Sequence, residues 1–217
     1  MKALFVTGTD TNVGKTFVSC ALIAALRARG RRVAVMKPVE TGVAGEPQDA
    51  RALQAAAGDP APLDAICPVR LRAPLAPSVA ARLEGRTLDP EELVARVTAR
   101  STEADLLVIE GAGGLLVPIA GRFTFADLAR RCAWPILLVG ANRLGTVNHA
   151  ALTARVADAC GLSIRGFVLS QPQPTTDESA ESNAAEIAAL TGLRCVGVLP
   201  HLDRPEAAAS LLHLELL

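Results

Sequence analysis

The sequence predicts an α/β fold with a mostly parallel β-sheet and helices on both of its faces. Short β-rich runs alternate with amphipathic stretches along the 217 residues, an order typical of repeated βαβ units. The β-rich runs are continuously apolar rather than alternating, as expected of strands that helices cover on both sides. Half of the residues are hydrophobic and 20% are charged, so the chain can bury a core, and we expect a single domain.

The predicted elements follow one another from the start of the chain. The first strand, KALFVTG, ends in a glycine loop, and KTFVSCALIAALRARG then has the pattern of a helix that Gly30 ends. The second strand, RRVAVMKPV, stops at Pro38. Four more strands are predicted at ADLLVIEGAGG, WPILLVGAN, IRGFVLS and LRCVGVLP. Further helices are predicted at about 48–57, 89–100, 124–132, 146–160 and 178–191.

A proline-rich stretch separates the second predicted strand from the helix near residue 89. We expect it to be irregular and to form a long excursion over the ligand-binding edge, because it contains Pro60, Pro62, Pro68, Pro74 and Pro77. A second loop, QPQPTTDES at 171–179, leads into the last predicted helix.

Composition excludes several classes of protein. The chain has 22 basic and 22 acidic residues and is 3% aromatic, so neither a nucleic-acid surface nor a membrane surface is indicated as a partner. The five cysteines are scattered without a CxxC pair, which is typical of free thiols rather than of a zinc site. No apolar run reaches membrane-spanning length and no charged leader precedes one, so we expect a cytoplasmic protein.

The opening stretch, MKALFVTGTDTNVGKTF, places a phosphate-binding motif between a strand and a helix. Gly14, Lys15 and Thr16 fit the usual pattern, but the first glycine is Gly8, and Thr9 occupies the position expected for it. Backbone N–H groups of such a turn, together with the helix N-terminus, form a cavity for phosphate oxygens. We therefore expect Lys15 to reach the β- and γ-phosphates and the Thr16 hydroxyl to bind Mg²⁺. The alternative is a glycine-rich turn that merely links the strand to the helix.

Three further segments leave strands at the carboxyl edge of the predicted sheet, where open α/β sheets bind ligands. They are MKPVETG, with Lys37, Glu40 and Thr41; VIEGAGGLLVP, with Glu110; and ANRLGTVNHA, with Asn142, Arg143 and residues 145–148. Glu110 ends an apolar strand, which is a common position for an acidic Mg²⁺ ligand, although a carboxylate there can also cap the next loop. Asp49 precedes a helix, where it can be a metal ligand or a plain N-cap.

Together these segments resemble one family. VTGTDTNVGKT, KPVETG, IEGAGGLLVP and LGTVNHA resemble, in order, the motifs of dethiobiotin synthetases, which are ATP-dependent carboxylases of biotin synthesis. The wide spacing between Gly8 and Gly14 is itself the pattern of that family's phosphate loop. The likeness extends to GVLP at 197–200, and it implies a P-loop NTPase-like domain over residues 1–217.

The resemblance also implies a reaction and its participants. One amine of 7,8-diaminopelargonic acid takes up CO₂ to form a carbamate, whose oxygen attacks the γ-phosphate of ATP and gives a carbamic–phosphoric anhydride. The second amine then closes the ring and expels phosphate. Mg²⁺ as cofactor, ATP as co-substrate and a homodimer with shared active sites are implied as well.

Roles for the matching residues are implied in the same way. Lys37, Lys15 and Thr11 correspond to catalytic residues, and Thr16, Asp49 and Glu110 to Mg²⁺ ligands. The nucleotide is expected to contact Asp10, Thr11, Asn12, Val13, Gly14, Lys15, Thr16 and Phe17. The substrate is expected to contact Thr41, Glu110, Gly111, Ala112, Gly113, Gly114, Gly145, Thr146, Val147 and Asn148, of which the last four come from the partner subunit.

The chain departs from the family after the fifth strand. It has Ser170 and Gln171 where the family often has an Asn-Asp pair against the adenine, so the sequence predicts no base preference. The alternative function is a nucleotide-switched partitioning-type P-loop ATPase. Such proteins typically carry Lys-Gly-Gly early in the loop, whereas this chain has Thr9-Asp10-Thr11, and its tail AAASLLHLELL resembles a packed C-terminus.

Overall fold

The computed structural model describes residues 2–175 and 177–217 as alternating strands and helices. The strands are β1 Ala3–Gly8, β2 Val33–Met36, β3 Val39–Thr41, β4 Val69–Leu71, β5 Leu106–Gly114, β6 Pro118–Ala120, β7 Phe123–Thr124, β8 Ile136–Ala141, β9 Ile164–Ser170 and β10 Cys195–Leu199. The helices are α1 Lys15–Ala28, α2 Gln48–Ala57, α3 Leu63–Ile66, α4 Pro77–Leu83, α5 Pro90–Arg100, α6 Phe125–Cys132, α7 Thr146–Ala159 and α8 Asn183–Thr191. Short 3₁₀ helices span Glu178–Glu181, Pro205–Leu211 and Leu214–Leu216.

Six strands form the central sheet, in the order β10-β9-β8-β1-β5-β2. Every neighbouring pair in it is parallel, which confirms the predicted α/β class. The register pairs Val6 with Glu110 and Met36 with Ile109. Because parallel strands end at the same edge, this register places Gly8, Lys37 and Glu110 close together at the carboxyl edge of the sheet.

Helices cover both faces of the sheet, as the continuously apolar strands predict. Along β1, Leu4 and Val6 belong to a core that includes residues of α1, α2 and the C-terminal segment. Phe5, between them, belongs to a second core with residues of α5 and α6. This alternation follows from the opposite directions of successive side chains in a strand, and it explains why no position of β1 is polar on either face before Thr7.

The proline-rich stretch is more ordered than predicted. It contains α3, β4 and α4, and β4 pairs in parallel with β3 outside the central sheet. The prolines fit these elements because Pro77 is the first residue of α4, where its missing N–H needs no partner. The predicted helix at 178–191 is a 3₁₀ turn followed by α8, and the C-terminal tail packs against α1.

Candidate active site

The phosphate loop lies between β1 and α1, as the motif requires. Asn12 and Gly14 both adopt left-handed backbone conformations, with φ of 58° and 86°. Gly14 directly precedes α1 and has no side chain that could cap it. The first N–H groups of α1 therefore point into the loop with no side-chain acceptor from the cap residue, an arrangement that suits phosphate oxygens.

The structure shows why a glycine occupies position 8, at the end of β1. A Cβ atom at Gly8 would lie 2.6 Å from the Asp10 carbonyl oxygen and 2.9 Å from Lys15 Nζ. Lys15 Nζ donates a hydrogen bond of 2.9 Å to that same carbonyl. A glycine is needed at the end of β1 because the lysine ammonium and the loop backbone occupy the space of a side chain.

A second lysine lies at the centre of a buried ionic cluster. Lys37 Nζ donates to Glu110 Oε1 at 2.6 Å and to Asp49 Oδ2 at 2.7 Å. The Lys37 residue is 2% exposed and Glu110 is fully buried. Burial by itself lowers the pKa of Lys37, but the two carboxylates outweigh it and raise the pKa above its ordinary value. Lys37 is therefore a fixed positive charge at physiological pH.

Lys15 has the opposite electrostatic environment. Burial lowers the pKa of its ammonium to about 8, and the charge of Lys37 acts in the same direction. Two cations thus lie close together. The nearby carboxylates raise the pKa of Lys37 but do not bring the pKa of Lys15 back to its ordinary value. A polyanion such as a triphosphate is the complementary ligand for this arrangement.

The oxygen atoms beside these lysines are of the kind that a magnesium ion prefers. Thr16 Oγ1 donates to Glu110 Oε1 at 2.8 Å, and Asp49 faces the same cluster through Lys37. The buried Oε2 of Glu110 has no hydrogen-bond partner in the described part of the chain. No group of three His, Cys, Asp or Glu residues gathers within that part. Mg²⁺ does not need one, because it commonly takes one or two carboxylates together with substrate phosphates and water.

One cavity of about 590 Å³ joins the phosphate loop to the ionic cluster. Seven of the residues predicted for catalysis, nucleotide or metal line it: Thr11, Asn12, Gly14, Lys15, Thr16, Lys37 and Asp49. Three of the predicted substrate residues line it as well: Thr41, Ala112 and Gly113. Four consecutive residues of the proline-rich stretch also line it: Pro74, Leu75, Ala76 and Pro77. The proline-rich stretch therefore passes over the binding edge, as its position in the sequence predicts.

The glycines after Glu110 differ in what they face. A Cβ at Gly113 would lie 2.8 Å from Val117 and 3.6 Å from Thr11 Oγ1, and the backbone φ there is 67°. A Cβ at Gly111 would instead lie 3.2 Å from the ring of Phe5. Gly111 is thus packed against the core, and its carbonyl accepts a 3.3 Å hydrogen bond from Lys37.

Other predicted contact residues lie outside this cavity. Val13 is buried in the core and Phe17 packs against it, so their side chains contribute to the packing of α1. Asp10 and Gly114 line a smaller cavity of about 420 Å³ beside the loop, which also has Leu116 and Leu152 in its wall.

The predicted substrate segment from Gly145 to Asn148 begins α7, and none of its residues lines this cavity. Thr146 is 2% exposed, and its buried hydroxyl has no hydrogen-bond partner among the described residues. The neighbouring Asn148 lines a separate groove with residues of α7 and α8.

A neighbouring cavity of about 530 Å³ lies between the phosphate loop and the loop after β9. Asn12, Asn142, Arg143 and Gln171 line it. The amide of Asn142 is already bonded, to the Ala180 carbonyl at 3.2 Å and to the Asn183 amide at 2.9 Å. The amide of Gln171 donates only a long hydrogen bond of 3.5 Å, to the Pro174 carbonyl.

Glu40 is a site residue to which the sequence assigned no role. It lines the 590 Å³ cavity and is 6% exposed. The sequence signal was its place between Lys37 and Thr41 in MKPVETG, but that signal could not tell what its carboxylate contacts.

Comparison with known proteins identifies the family. Residues 2–209 match a family described as an AAA domain. The chain is 50% identical over 201 residues to the ATP-dependent dethiobiotin synthetase of Anaeromyxobacter dehalogenans, covering 92% of this chain and 90% of the relative. It is 40% identical over 221 residues to the enzyme of the same name from Aromatoleum aromaticum, covering 97% and 96%.

A solved structure supports the fold alone. Chloroplast FtsY from Physcomitrella patens superposes with a TM-score of 0.50 at 16% identity, covering 95% of this chain and 64% of that chain. No helix in the described ranges is long and apolar enough to cross a membrane. The similarity to curated relatives does not favour a partitioning-type ATPase. By its sequence along nearly its whole length, the chain belongs to the ATP-dependent dethiobiotin synthetase family.

Proposed function

We propose that this chain is a ligase that converts 7,8-diaminopelargonic acid, CO₂ and ATP into dethiobiotin, ADP and phosphate in biotin biosynthesis. The observation that carries the proposal is the cavity of about 590 Å³ in which the phosphate-loop Lys15 meets the buried Lys37. The high identity to curated dethiobiotin synthetases supports the same reaction.

The reaction consists of three balanced steps. One amine nitrogen bonds to CO₂ and loses a proton, which gives a carbamate. A carbamate oxygen then bonds to the γ-phosphorus of ATP while the bond to the β-phosphate oxygen breaks and ADP leaves. Finally the second amine nitrogen bonds to the carbamate carbon, phosphate leaves with the electron pair of the broken C–O bond, and the nitrogen loses its excess proton.

The residues of the cavity suit these steps. Lys37 and Lys15 stabilise the negative charge that accumulates when the carbamate meets the triphosphate. The hydroxyls of Thr11 and Thr41 line the same cavity and can bind the diamine and its carbamate. The backbone at Gly113 can approach the substrate closely because no side chain stands between them.

Thr16, Asp49 and Glu110 would hold Mg²⁺, with ATP phosphates and water completing its coordination. The ion, when bound, would supply positive charge to the phosphoryl group in transfer. The close approach of Thr16 Oγ1 to Glu110 supports this assignment, as does the Glu110 Oε2 atom, which has no hydrogen-bond partner among the described residues.

We further infer that residues 1–217 form one domain and that the protein is located in the cytoplasm. We also infer that two copies form a homodimer. Leu116 and Leu152 are each 58% exposed, and they border the small cavity beside the phosphate loop. Leu144, just before α7, is 80% exposed. A second copy that covers these side chains would bring its own Gly145–Asn148 segment towards the substrate's distant carboxylate, where a helix N-terminus suits an anion.

Phosphate release from ATP tests the reaction. Purified protein with Mg²⁺ and bicarbonate is assayed with and without 7,8-diaminopelargonic acid, and dethiobiotin is measured by mass spectrometry. We expect phosphate release that depends on the diamine and equals the dethiobiotin formed. Lys37→Ala is expected to lower kcat by roughly 100-fold or more, because it removes a buried charge that faces the transferred phosphoryl group.

Arg72→Ala is the control for that substitution, because Arg72 follows β4 and lies outside the lining of the cavity. We expect it to retain the wild-type kcat. Phosphate release that is indifferent to the diamine, with no dethiobiotin formed, would exclude the proposed reaction.

A further inference from the structure

Glu40 has an unusual pair of hydrogen bonds for a residue of a short strand. It lies in the middle of β3, three residues after Lys37, and its side chain reaches the start of α2. One carboxylate oxygen accepts from the Asp49 N–H at 3.1 Å, and the other accepts from the Ala50 N–H at 3.0 Å. Glu40 itself is 6% exposed, and its bond to the Ala50 N–H is buried.

The start of α2 lacks a cap of its own. The residue before the helix is Pro47, which has no side chain able to accept a hydrogen bond. The N–H groups of the first helical turn have no partner within the helix and need an acceptor from elsewhere. A carboxylate is the favourable acceptor because the helix dipole places partial positive charge at this end. Glu40 therefore caps α2 from outside the helix.

The cap acts on a residue of the ionic cluster. Asp49 is the second residue of α2, and its carboxylate lies 2.7 Å from Lys37 Nζ. Lys37 lies directly after β2 and Asp49 lies in α2, so β3 and the segment between β3 and α2 connect them along the chain. Glu40 lies in β3 and accepts a hydrogen bond from the Asp49 N–H. It therefore connects the two ends of that segment directly.

We propose that Glu40 is a positioning residue that fixes the Asp49 carboxylate against Lys37, and with it the geometry of the cation site at Thr16, Asp49 and Glu110. This proposal rests on the function proposed above. On this proposal Glu40 acts through the backbone of α2 rather than through contact with the nucleotide or the metal.

Two other roles are possible for a carboxylate in this place. Glu40 could be a plain helix cap, which would contribute to stability and leave the cation site unaffected. It could instead bind a ligand directly, since it lines the cavity. The three roles can be separated by a variant in which another side chain caps α2 in place of Glu40. They differ in whether that cap restores the stability of the protein, its affinity for the metal ion, or both.

The test compares four variants with the wild type: Glu40→Ala, Glu40→Gln, Glu40→Ala combined with Pro47→Asp, and Asp89→Ala. The backbone of Pro47 is extended, with φ −71° and ψ 108°, so an aspartate there can accept from the same two N–H groups. Asp89→Ala is the matched control, because Asp89 caps α5 through the Glu91 N–H at 2.9 Å and lies outside the lining of the cavity.

Three quantities are measured for each variant: the melting temperature, the affinity for Mn²⁺ with a non-hydrolysable ATP analogue by electron paramagnetic resonance, and kcat for dethiobiotin formation. We expect Glu40→Ala to bind Mn²⁺ roughly 10- to 100-fold more weakly, the usual effect of losing a residue that orients a metal ligand. Its melting temperature should fall by about 2–4 °C. Glu40→Gln keeps one acceptor oxygen, so its affinity should lie between those of Glu40→Ala and the wild type.

The double variant decides between the three roles. We expect Pro47→Asp to restore both the melting temperature and most of the Mn²⁺ affinity, and Asp89→Ala to lose melting temperature alone. Restored stability without restored affinity would mean that Glu40 binds a ligand directly. Unchanged Mn²⁺ affinity in Glu40→Ala and Glu40→Gln would mean that Glu40 only caps the helix and does not position Asp49. Failure of the proposed reaction would appear separately, as wild-type protein that forms no dethiobiotin.

Discussion

At the scale of single residues, the site depends on glycines whose missing side chains leave room for charge. Gly8 is the clearest case, because the Lys15 ammonium and the Asp10 carbonyl lie where its Cβ atom would be. An alanine there would have to displace the loop backbone, which cannot yield as a flexible side chain can. The first glycine of the loop is thus required by the position of the lysine rather than by a left-handed turn.

Gly8→Ala tests this requirement. We expect ATP to bind roughly 10- to 100-fold more weakly, because displacement of Lys15 by a fraction of an ångström misplaces its charge relative to the phosphates. Isothermal titration with ATP measures the effect. Gly45→Ala is the matched control, since no atom lies within 4 Å of a Cβ built there, and it should bind as the wild type does. Equal affinity in both variants would contradict the steric role of Gly8.

At the scale of elements, helix caps connect the sequence to the positions of the site. α6 begins with a capping box, in which Thr124 accepts from the Asp127 N–H and Asp127 accepts from the Thr124 N–H at 2.9 Å. Partial burial raises the pKa of Asp127, but the hydrogen bonds from Thr124 and the charge of Arg130 outweigh it and lower the pKa below its usual value. This box is local in sequence, in contrast to the cap that Glu40 provides for α2.

The lowered pKa predicts a pH-dependent contribution of this cap to stability. A carboxyl group with a depressed folded pKa stabilises the fold above its unfolded pKa of about 3.9, and the contribution is lost as pH falls through the folded pKa. Asp127→Asn should therefore lower the free energy of unfolding by about 0.5–1 kcal/mol at pH 7. This value is the lower part of the usual free-energy cost of losing a helix cap. It applies because the Asp127 side chain is 35% exposed.

Urea denaturation at pH 7 and near pH 3 measures this difference. We expect the difference in unfolding free energy between wild type and Asp127→Asn to narrow at the lower pH, since that pH lies below the unfolded pKa of about 3.9 and the unfolded chain then takes up a proton at this carboxylate. A gap of equal size at both values would mean that the charge of Asp127 does not contribute. Glu92→Gln, on the exposed face of α5, is the control for loss of a surface carboxylate.

At the scale of the whole molecule, one buried ion pair connects segments far apart in the chain. Asp59, after α2, pairs with Arg100 at the end of α5, and both side chains are 4% exposed. Asp59 also accepts from the Val35 N–H of β2 at 2.9 Å. A buried pair of this kind is costly to break, because the remaining charge has neither water nor a counter-ion.

Replacing Arg100 tests the pair against a surface pair. Arg100→Met should lower the free energy of unfolding by about 3–5 kcal/mol, because the buried Asp59 side chain loses its counter-ion. Arg131→Met removes the exposed pair with Glu91 and should lower it by about 0–1 kcal/mol. Neither arginine lines the cavity of about 590 Å³, so kcat of the folded protein should stay unchanged. Similar small losses in both variants would show that the buried pair is not needed for stability.

The sequence by itself determined the fold class, the order of the central strands and helices along the chain, and the place of the phosphate loop. It could do so because these features depend on local patterns, namely continuous apolar runs, glycine stops and the spacing from Gly8 to Thr16. Only the tertiary structure decided that Lys37 lies between Asp49 and Glu110, since the two bonded partners Lys37 and Glu110 are 73 residues apart. The same holds for the cap that Glu40 provides and for the proline-rich wall of the cavity. Contacts of this kind arise from the register of parallel strands and from packing, which no short sequence pattern specifies.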